Sequence, residues 1–532
     1  MHTSDSRYNL INEMPMTTRA SNLVAIFASA VALCAAAEPS LTLGGKDVAL
    51  FSRGAGEKTV RPVVADAPEG AVIDGVMTRF GDGLEVAALK PLSSDALRFD
   101  IKEVGYYTLV ARLVGVNGST VAAATNGYAV VPPIPERPNE LGVCFHARHC
   151  EKRDAWGISF DMLDAGGFSR IRTDLSWGSV EAKKGEYGIP ARIEKTVAMC
   201  TEHGIKPLCI FGYPSPAYKD YKKGFPANDI TRTACAEAMA FAVGHFRGKV
   251  FDWELWNEPN QAHPVNDYLP LAKVVYPRVK AVAPEINFIS GGGSGAGGGV
   301  GGGFIVPVLK AGGREFQDGW SAHPYMAPRN TPDLGYRGGP PLSRASLPCC
   351  LEANLNWGRA RKLGEKPLKF WITEYGWFTN SKGVSEELQA AYLARALLIC
   401  RRHGLDTGLF IYDFMDDGLD PEEKEHHFGI ARYDFSPKPS FQAIAVFASL
   451  FANKRAVSSY SPAKDTYVLT CGEKRATVTA IWSVAPTKIE IDWFAPRENL
   501  AMLDWQGRRL EVPSGEKLCL DACEMPVYFI EK

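Results

Sequence analysis

The 532-residue sequence lacks an excess of charge of either sign: 59 Lys and Arg stand against 60 Asp and Glu, a formal net charge of -1 at pH 7. With no global field to draw it to polyanions or anionic lipid, nucleic acid is not an expected partner, and a small or neutral substrate fits better. A membrane span is lacking too. One apolar, alanine-rich run at residues 22–37 falls short of the roughly 20 residues a span needs. It follows Arg19 and ends in Ala35-Ala36-Ala37 before Glu38-Pro39-Ser40. That is the pattern of a secretory signal peptide, with translation starting at Met1 or at Met16. Residues 1–37 are therefore expected to be a leader and the mature protein to be secreted or periplasmic. Leu33 precedes Cys34 where a lipoprotein signal has a small residue, so lipid anchoring at Cys34 is not expected.

A fully paired disulfide framework is excluded, because twelve cysteines less Cys34 leave an odd number. Most read as small buried hydrophobes. Cys471, Cys519 and Cys523 cluster near the end, where one bridge is compatible with an oxidising compartment. Metal templates are missing as well. Cys144, His146, His149 and Cys150 are zinc-ligand types at no recognised spacing, and Asp413, Asp416, Asp417 and Asp420 lack the alternation of an EF-hand. The run 291–303 contains a formal G-x-G-x-x-G at Gly293, Gly295 and Gly298, with Asp318 about 20 residues on. In a stretch that is mostly glycine, without two-fold Rossmann organisation, the match carries no weight, and the run reads as a loop over a cleft. No cofactor is expected.

What is present divides the chain into three. Residues 41–131 are short β-rich runs such as Tyr106-Tyr107-Thr108-Leu109-Val110, punctuated by Gly and Pro, and predict a β-sandwich. Residues 132–140, with Pro132, Pro133, Pro135 and Pro138, form a stiff linker. From 141 to 451 apolar strand candidates alternate with helical patterns, as in βα units. Eight can be counted, at 141–145, 168–172, 206–211, 250–255, 286–290, 319–322, 368–373 and 408–414. Eight is the number that closes a (β/α)8 TIM barrel, whose working groups sit at the carboxyl ends of its strands. Residues 455–532 return to β-rich runs, so the expected class is an α/β barrel flanked by two β-sandwich-like domains.

Two glutamate motifs fall at such strand ends: Trp256-Asn257-Glu258-Pro259-Asn260 after the fourth candidate and Ile372-Thr373-Glu374-Tyr375-Gly376-Trp377 after the seventh. Opposed carboxyl groups, one kept protonated and one kept ionised, are what cleavage of a glycosidic bond with retention requires. At these residues the chain resembles clan A of the glycoside hydrolases, and in particular its families 39 and 5, over about residues 141–451. The stretches 177–187 and 425–430, with Ser436-Pro437-Lys438-Pro439, carry the likeness to those two families.

The resemblance implies Glu258 as acid/base and Glu374 as nucleophile, with Asn257 binding the sugar 2-hydroxyl. It implies Arg172 hydrogen-bonded to the nucleophile, His323 and Tyr325 orienting the carboxylates, and His146 contacting substrate. Many clan members have a tryptophan platform on strand eight; Tyr412 stands in that region here, and Trp377, beyond the nucleophile, is a second aromatic expected to touch sugar. The implied activity is retaining hydrolysis of a β-type bond in a polysaccharide or oligosaccharide. A non-catalytic carbohydrate-binding or cell-envelope protein on the same barrel, and a transglycosylase, are the alternatives.

Overall fold

The computed structural model describes residues 38–531 apart from 94–95, 220, 223, 262–264, 295–302, 326–329, 335–345, 361–363 and 474–475. The leader, Cys34 and the loop positions Gly295 and Gly298 lie outside the described residues. No described helix is long and apolar enough to cross a membrane.

The centre is a closed barrel of eight parallel strands: β1 (Leu141–Cys144), β2 (Arg170–Ser176), β3 (Lys206–Gly212), β4 (Asp252–Leu255), β5 (Asn287–Ser294), β6 (Gly319–His323), β7 (Lys369–Tyr375) and β8 (Leu409–Ile411). Closure is made by β1 on β8, with Leu141 opposite Leu409 and Val143 opposite Ile411. All eight candidates are strands of the barrel, with ends that move by a few residues. β2 starts at Arg170 rather than 168 because Gly167, at φ +76°, caps the preceding helix, and it runs on to Ser176 because it pairs with β3 as far as Gly212.

Period-two alternation fills the lumen in layers. At the amino ends of the strands Arg170 and Asn287 both bond Asp252, at 2.7 Å each. Above them Leu208, Ile289, Trp371 and Phe410 form an apolar plug. Two residues further along the same strands come Arg172, Glu254 and Thr373, a polar layer beneath the mouth. Each is less than 5% exposed, and burial on this scale is tolerable only because the charges are paired and hydrogen-bonded.

Flanking sheets pack against this barrel. On the amino-terminal side a seven-stranded sheet, with Gly105–Val114 between Val72–Arg79 and Thr120–Val131, folds over its own core of Ile73, Met77, Phe99, Leu109 and Val130. On the carboxy-terminal side a six-stranded sheet and a two-stranded one enclose Val468, Ile481, Leu518 and Phe529. The last barrel helix, Pro439–Phe451, buries Phe441, Ile444, Phe447 and Phe451 together with the polar Ser440 and Gln442, and joins the parts. Gln442 Nε2 donates to Val130 O at 3.1 Å and to Gln506 O at 2.7 Å, and Tyr106 OH donates to Pro437 O at 2.8 Å. The described cysteines are free: Cys471 is buried while Cys519 and Cys523 are exposed, so the bridge compatible with that cluster is not formed.

Candidate active site

Three local features bring carboxylates to the mouth. After β4 the chain turns through two left-handed residues, Trp256 at φ +71° and Glu258 at φ +45°, either side of Asn257. Non-glycine residues there cost of order 1–3 kcal/mol each and persist only where the surroundings enforce them. On β7 the register against β8 slips between Ile372 and Tyr375, where three steps on one strand match two on the other. A bulge of this kind re-aims side chains. Beside it, β5 carries a second slip between Ser290 and Gly293. A Cβ on Gly292 would lie 2.3 Å from His323 Nε2, so glycine there leaves room for the imidazole.

Arg172 is the hub. Its Nε donates to Glu254 Oε2 at 2.7 Å, one terminal nitrogen to Glu374 Oε1 at 2.6 Å and the other to Asn257 Oδ1 at 2.8 Å. Burial opposes the guanidinium charge, but Glu254 and then Glu374 outweigh it and hold Arg172 well above its ordinary range. Tyr325 OH donates to the other Glu374 oxygen at 3.0 Å. Burial first, then the Glu374 charge, raises the Tyr325 phenol well above its usual value, so it stays a donor.

His323, fully buried, joins the two glutamates: Nδ1 is 2.9 Å from Glu258 Oε1 and 3.4 Å from Glu374 Oε2, while Nε2 is 3.0 Å from Thr373 Oγ1. Thr373 has one hydroxyl proton and gives it to Glu254 Oε1 at 2.9 Å. Its oxygen therefore accepts from His323 Nε2, which places a proton on Nε2 and leaves Nδ1 facing Glu258 and Glu374. Ser321 completes the group as a second hydroxyl on Glu254 Oε1.

A cavity of about 540 Å³ opens above these groups, and Glu258, Glu374, Asn257, Arg172, His146, Tyr325, Trp377 and Tyr412 all line it. Every residue expected at the site is therefore brought together, with His323 in the layer beneath. His146 Nε2 lies 3.2 Å from Asp413 Oδ2 and its Nδ1 3.5 Å from Asp174 Oδ2. Burial works against the charge, yet Asp413 and then Asp174 hold the imidazolium well above the ordinary histidine range. Burial likewise works against the Asp174 carboxylate, but His146 keeps it below its usual value. Tyr412 OH donates to Glu425 Oε2 at 3.3 Å, and its ring stands edge-on to Tyr325.

Trp377 offers less than an open platform. It is 1% exposed, packs on Tyr375 and Tyr392, and gives its indole N–H to Asn330 O at 3.2 Å, so it forms cavity wall backed by core. Trp177 and Trp256 are core as well. The aromatic that stands open is Tyr213, 38% exposed at the end of β3. Sequence reasoning missed it, as it missed Glu254 and Asp174, and it weighed Asp413 only as a calcium ligand. The signal for Glu254 and Asp174 was the alternation of charge in Arg170-x-Arg172-x-Asp174 and Asp252-x-Glu254, unusual in strands that are otherwise apolar.

Among the described residues two clusters could hold a metal ion: His146 with Asp413 and Asp417, and Glu258 with His323 and Glu374. In the first His146 pairs with Asp413 and Asp417 with His149; in the second His323 faces both glutamates. The four zinc-type residues near β1 do not converge, since Cys144 Sγ is bonded to Thr373 O and Cys150 Sγ to Ser159 Oγ.

No family model matches the chain, and no curated protein does. Solved structures do. A family 39 glycoside hydrolase from the gut symbiont Bacteroides cellulosilyticus WH2 is 41% identical, over 92% of this chain and 100% of that one, with a TM-score of 0.84. A glucosidase from Croceicoccus marinus (13% identity, 75% of this chain and 97% of that one, TM-score 0.52) and a family 30 endoxylanase from Clostridium papyrosolvens (11%, 75% and 97%, TM-score 0.50) share the fold. Identity of 41% with the family 39 enzyme, maintained over nearly the whole of both chains and joined to the barrel and its glutamate motifs, places this protein in glycoside hydrolase family 39, as a retaining enzyme acting on carbohydrate.

Proposed function

We propose that this enzyme hydrolyses a β-type glycosidic bond in an oligosaccharide or polysaccharide by double displacement, with Glu374 as nucleophile and Glu258 as acid/base. The observation that carries the reading is one distance: a Glu258 carboxylate oxygen and a Glu374 carboxylate oxygen lie within 4.8 Å of each other. That suits the roughly 5–5.5 Å separation of retaining pairs and is well short of the roughly 6.5–9.5 Å that an intervening water needs in inverting ones. Arg172 and Tyr325 each donate one hydrogen bond to Glu374, which orients its carboxyl group to attack the anomeric carbon. Glu258, facing His323 Nδ1, carries the proton for the leaving oxygen and afterwards takes one from water. Asn257, pinned by Arg172, presents its amide nitrogen to the sugar 2-hydroxyl.

The test is sugar release from a broad glycan panel by the native protein and its Glu374→Gln and Glu258→Gln variants, with the first-formed anomer followed by proton NMR. Release with retained configuration by the native protein alone is the expected result. Release of the opposite anomer, or equal release by the Glu374→Gln variant, would overturn the assignment; binding without release by any form would favour a non-catalytic carbohydrate-binding role.

Export is part of the proposal. It rests on the pattern of residues 19–40, and fractionation of cells producing the chain with and without residues 1–37 tests it.

A further inference from the structure

One wall of the catalytic cavity is held from outside the barrel. Trp377, three residues past Glu374, lines that cavity, and its indole is fixed at two points. Nε1 donates to Asn330 O at 3.2 Å, and the ring packs on Tyr392 with centroids 5.0 Å apart. Followed outward, both points lead to one carboxylate. Asn330 stands three residues before Asp333, in a turn where Leu334 N–H donates to Thr331 Oγ1 at 3.3 Å. On the helix Glu386–His403, which carries Tyr392, the Arg395 guanidinium lies 5.1 Å from that ring's centre and pairs with Asp333 Oδ2 at 2.9 Å.

The other Asp333 oxygen is taken by the carboxy-terminal domain. Trp482, on its strand Val478–Ser483, donates Nε1–H to Asp333 Oδ1 at 2.7 Å. Tyr467 of the same domain stacks on that indole, with ring centres 5.2 Å apart. Arg395 reaches the domain too, donating to Glu524 O at 3.3 Å. Asp333 is 2% exposed, and Arg395 and Trp482 are fully buried. Against apolar packing of the same volume, a buried ion pair adds little net stability. What a pair of fixed charges and an indole donor do impose is a single arrangement of the segments that carry them. Here those segments end at Trp377, and errors of about 1 Å beside a reacting centre cost large factors in rate.

We propose that Trp482 and Asp333 are positioning residues for the reaction: the carboxy-terminal β domain, through its indole on Asp333, sets the place of the Trp377 wall beside the nucleophile. The effect on rate rests on the hydrolytic reading of Glu374, whereas the mechanical link does not. The domain thereby gains a part in turnover that needs no sugar-binding surface of its own.

Trp482→Phe keeps an aromatic ring and removes the donor. Measured well below Tm on whichever glycan the native protein cleaves, its kcat should fall about tenfold with KM little changed. The indole signal of Trp377 in the nitrogen–proton spectrum, assigned by its loss in Trp377→Phe, should move as well. Phe529→Leu, in the core of the same domain, is the control for general loosening: it should lower Tm and leave both kcat and that signal native. Trp377→Phe breaks the link at its far end, so adding Trp482→Phe to it should cost no more than Trp377→Phe alone, as residues acting in series are not additive. Thr331→Val loosens the turn between Asp333 and Asn330 without altering the carboxy-terminal domain; it should lower kcat in the same sense, and it stands in where Trp482→Phe does not fold. Native kcat in the variant, an equal fall in Phe529→Leu, or a double variant showing the full product of the two losses would overturn the proposal. Absence of turnover by the native protein on every glycan would count against Glu374 instead. The link is then judged by the Trp377 signal alone, and a signal unmoved in the variant would overturn it.

Discussion

Thr373 and Glu374 are adjacent in sequence, yet both face the lumen: Thr373 Oγ1 touches Glu254 and His323, and Glu374 touches Arg172 and Tyr325. A regular strand would turn one of them to the helices. The slip between β7 and β8 at this point admits both, and with them the hydrogen-bonded order Glu254, Thr373, His323, Glu258.

That order is testable at Thr373. Replacement by valine removes the hydroxyl that accepts from His323 Nε2 while keeping the shape. We expect kcat to fall roughly tenfold to a hundredfold, within the range attributed to proton-transfer groups, with KM little changed and the limb of the pH profile belonging to the acid displaced. Thr373→Ser should restore both. A Thr373→Val enzyme with native kcat and pH profile would show that His323 is oriented by other means.

Arg172 answers to stability as well as rate. Its removal leaves Glu254, 0% exposed, without its countercharge. Breaking a buried pair from one side costs about 3–5 kcal/mol, so Arg172→Met should lower the unfolding free energy by that order in urea titrations and abolish turnover. Arg172→Lys keeps the charge but not the fork, and should recover part of the stability and little of the activity.

Gly292 offers a purely steric probe. With a Cβ 2.3 Å from His323 Nε2, Gly292→Ala must push the ring from its place. Displacements of about 1 Å at a reacting group can cost around a hundredfold in rate. Turnover should fall by that order while far-UV circular dichroism stays native; a fully active alanine variant would mean the imidazole is not held where it works.

The pH response of His146 follows from its neighbours. Its folded value is raised, so its contribution to stability is complete below about 6.5, the unfolded value, and is lost as pH climbs through a folded value well above that. Asp174 is lowered, so its share is complete above the unfolded carboxylate value and is lost as pH falls through its folded one. Asp413 faces the same ring, but burial raises it. The Tm gap between native protein and His146→Asn should therefore be widest at mildly acidic pH, just below about 6.5, and close toward alkaline pH. A gap that is flat from neutral to strongly alkaline pH would rule out the imidazolium. The nitrogen shifts of His146 at pH 7.5 report the same charge directly.

Much of this site was legible because it sits on regular strands. Periodicity located β4 and β7, and ordinal position made Glu258 and Glu374 partners before any coordinate did. Glu254 and Asp174 were visible only as charges at alternate positions of apolar strands, a signal that says buried but names no partner. The open aromatic was unreadable: Trp377 and Tyr213 both follow strands, and only packing, with Tyr392 behind the one and solvent beside the other, separates wall from platform. The β7 bulge left no mark in the sequence, since Ile372-Thr373-Glu374-Tyr375 fits a regular strand equally well.

The carboxamide of Gln442 also sets an order in time. It needs Val130, made long before it, and Gln506, made 64 residues after it. The barrel's last helix thus cannot be fully seated until the chain has grown past Gln506, as a keystone waits for both sides of an arch.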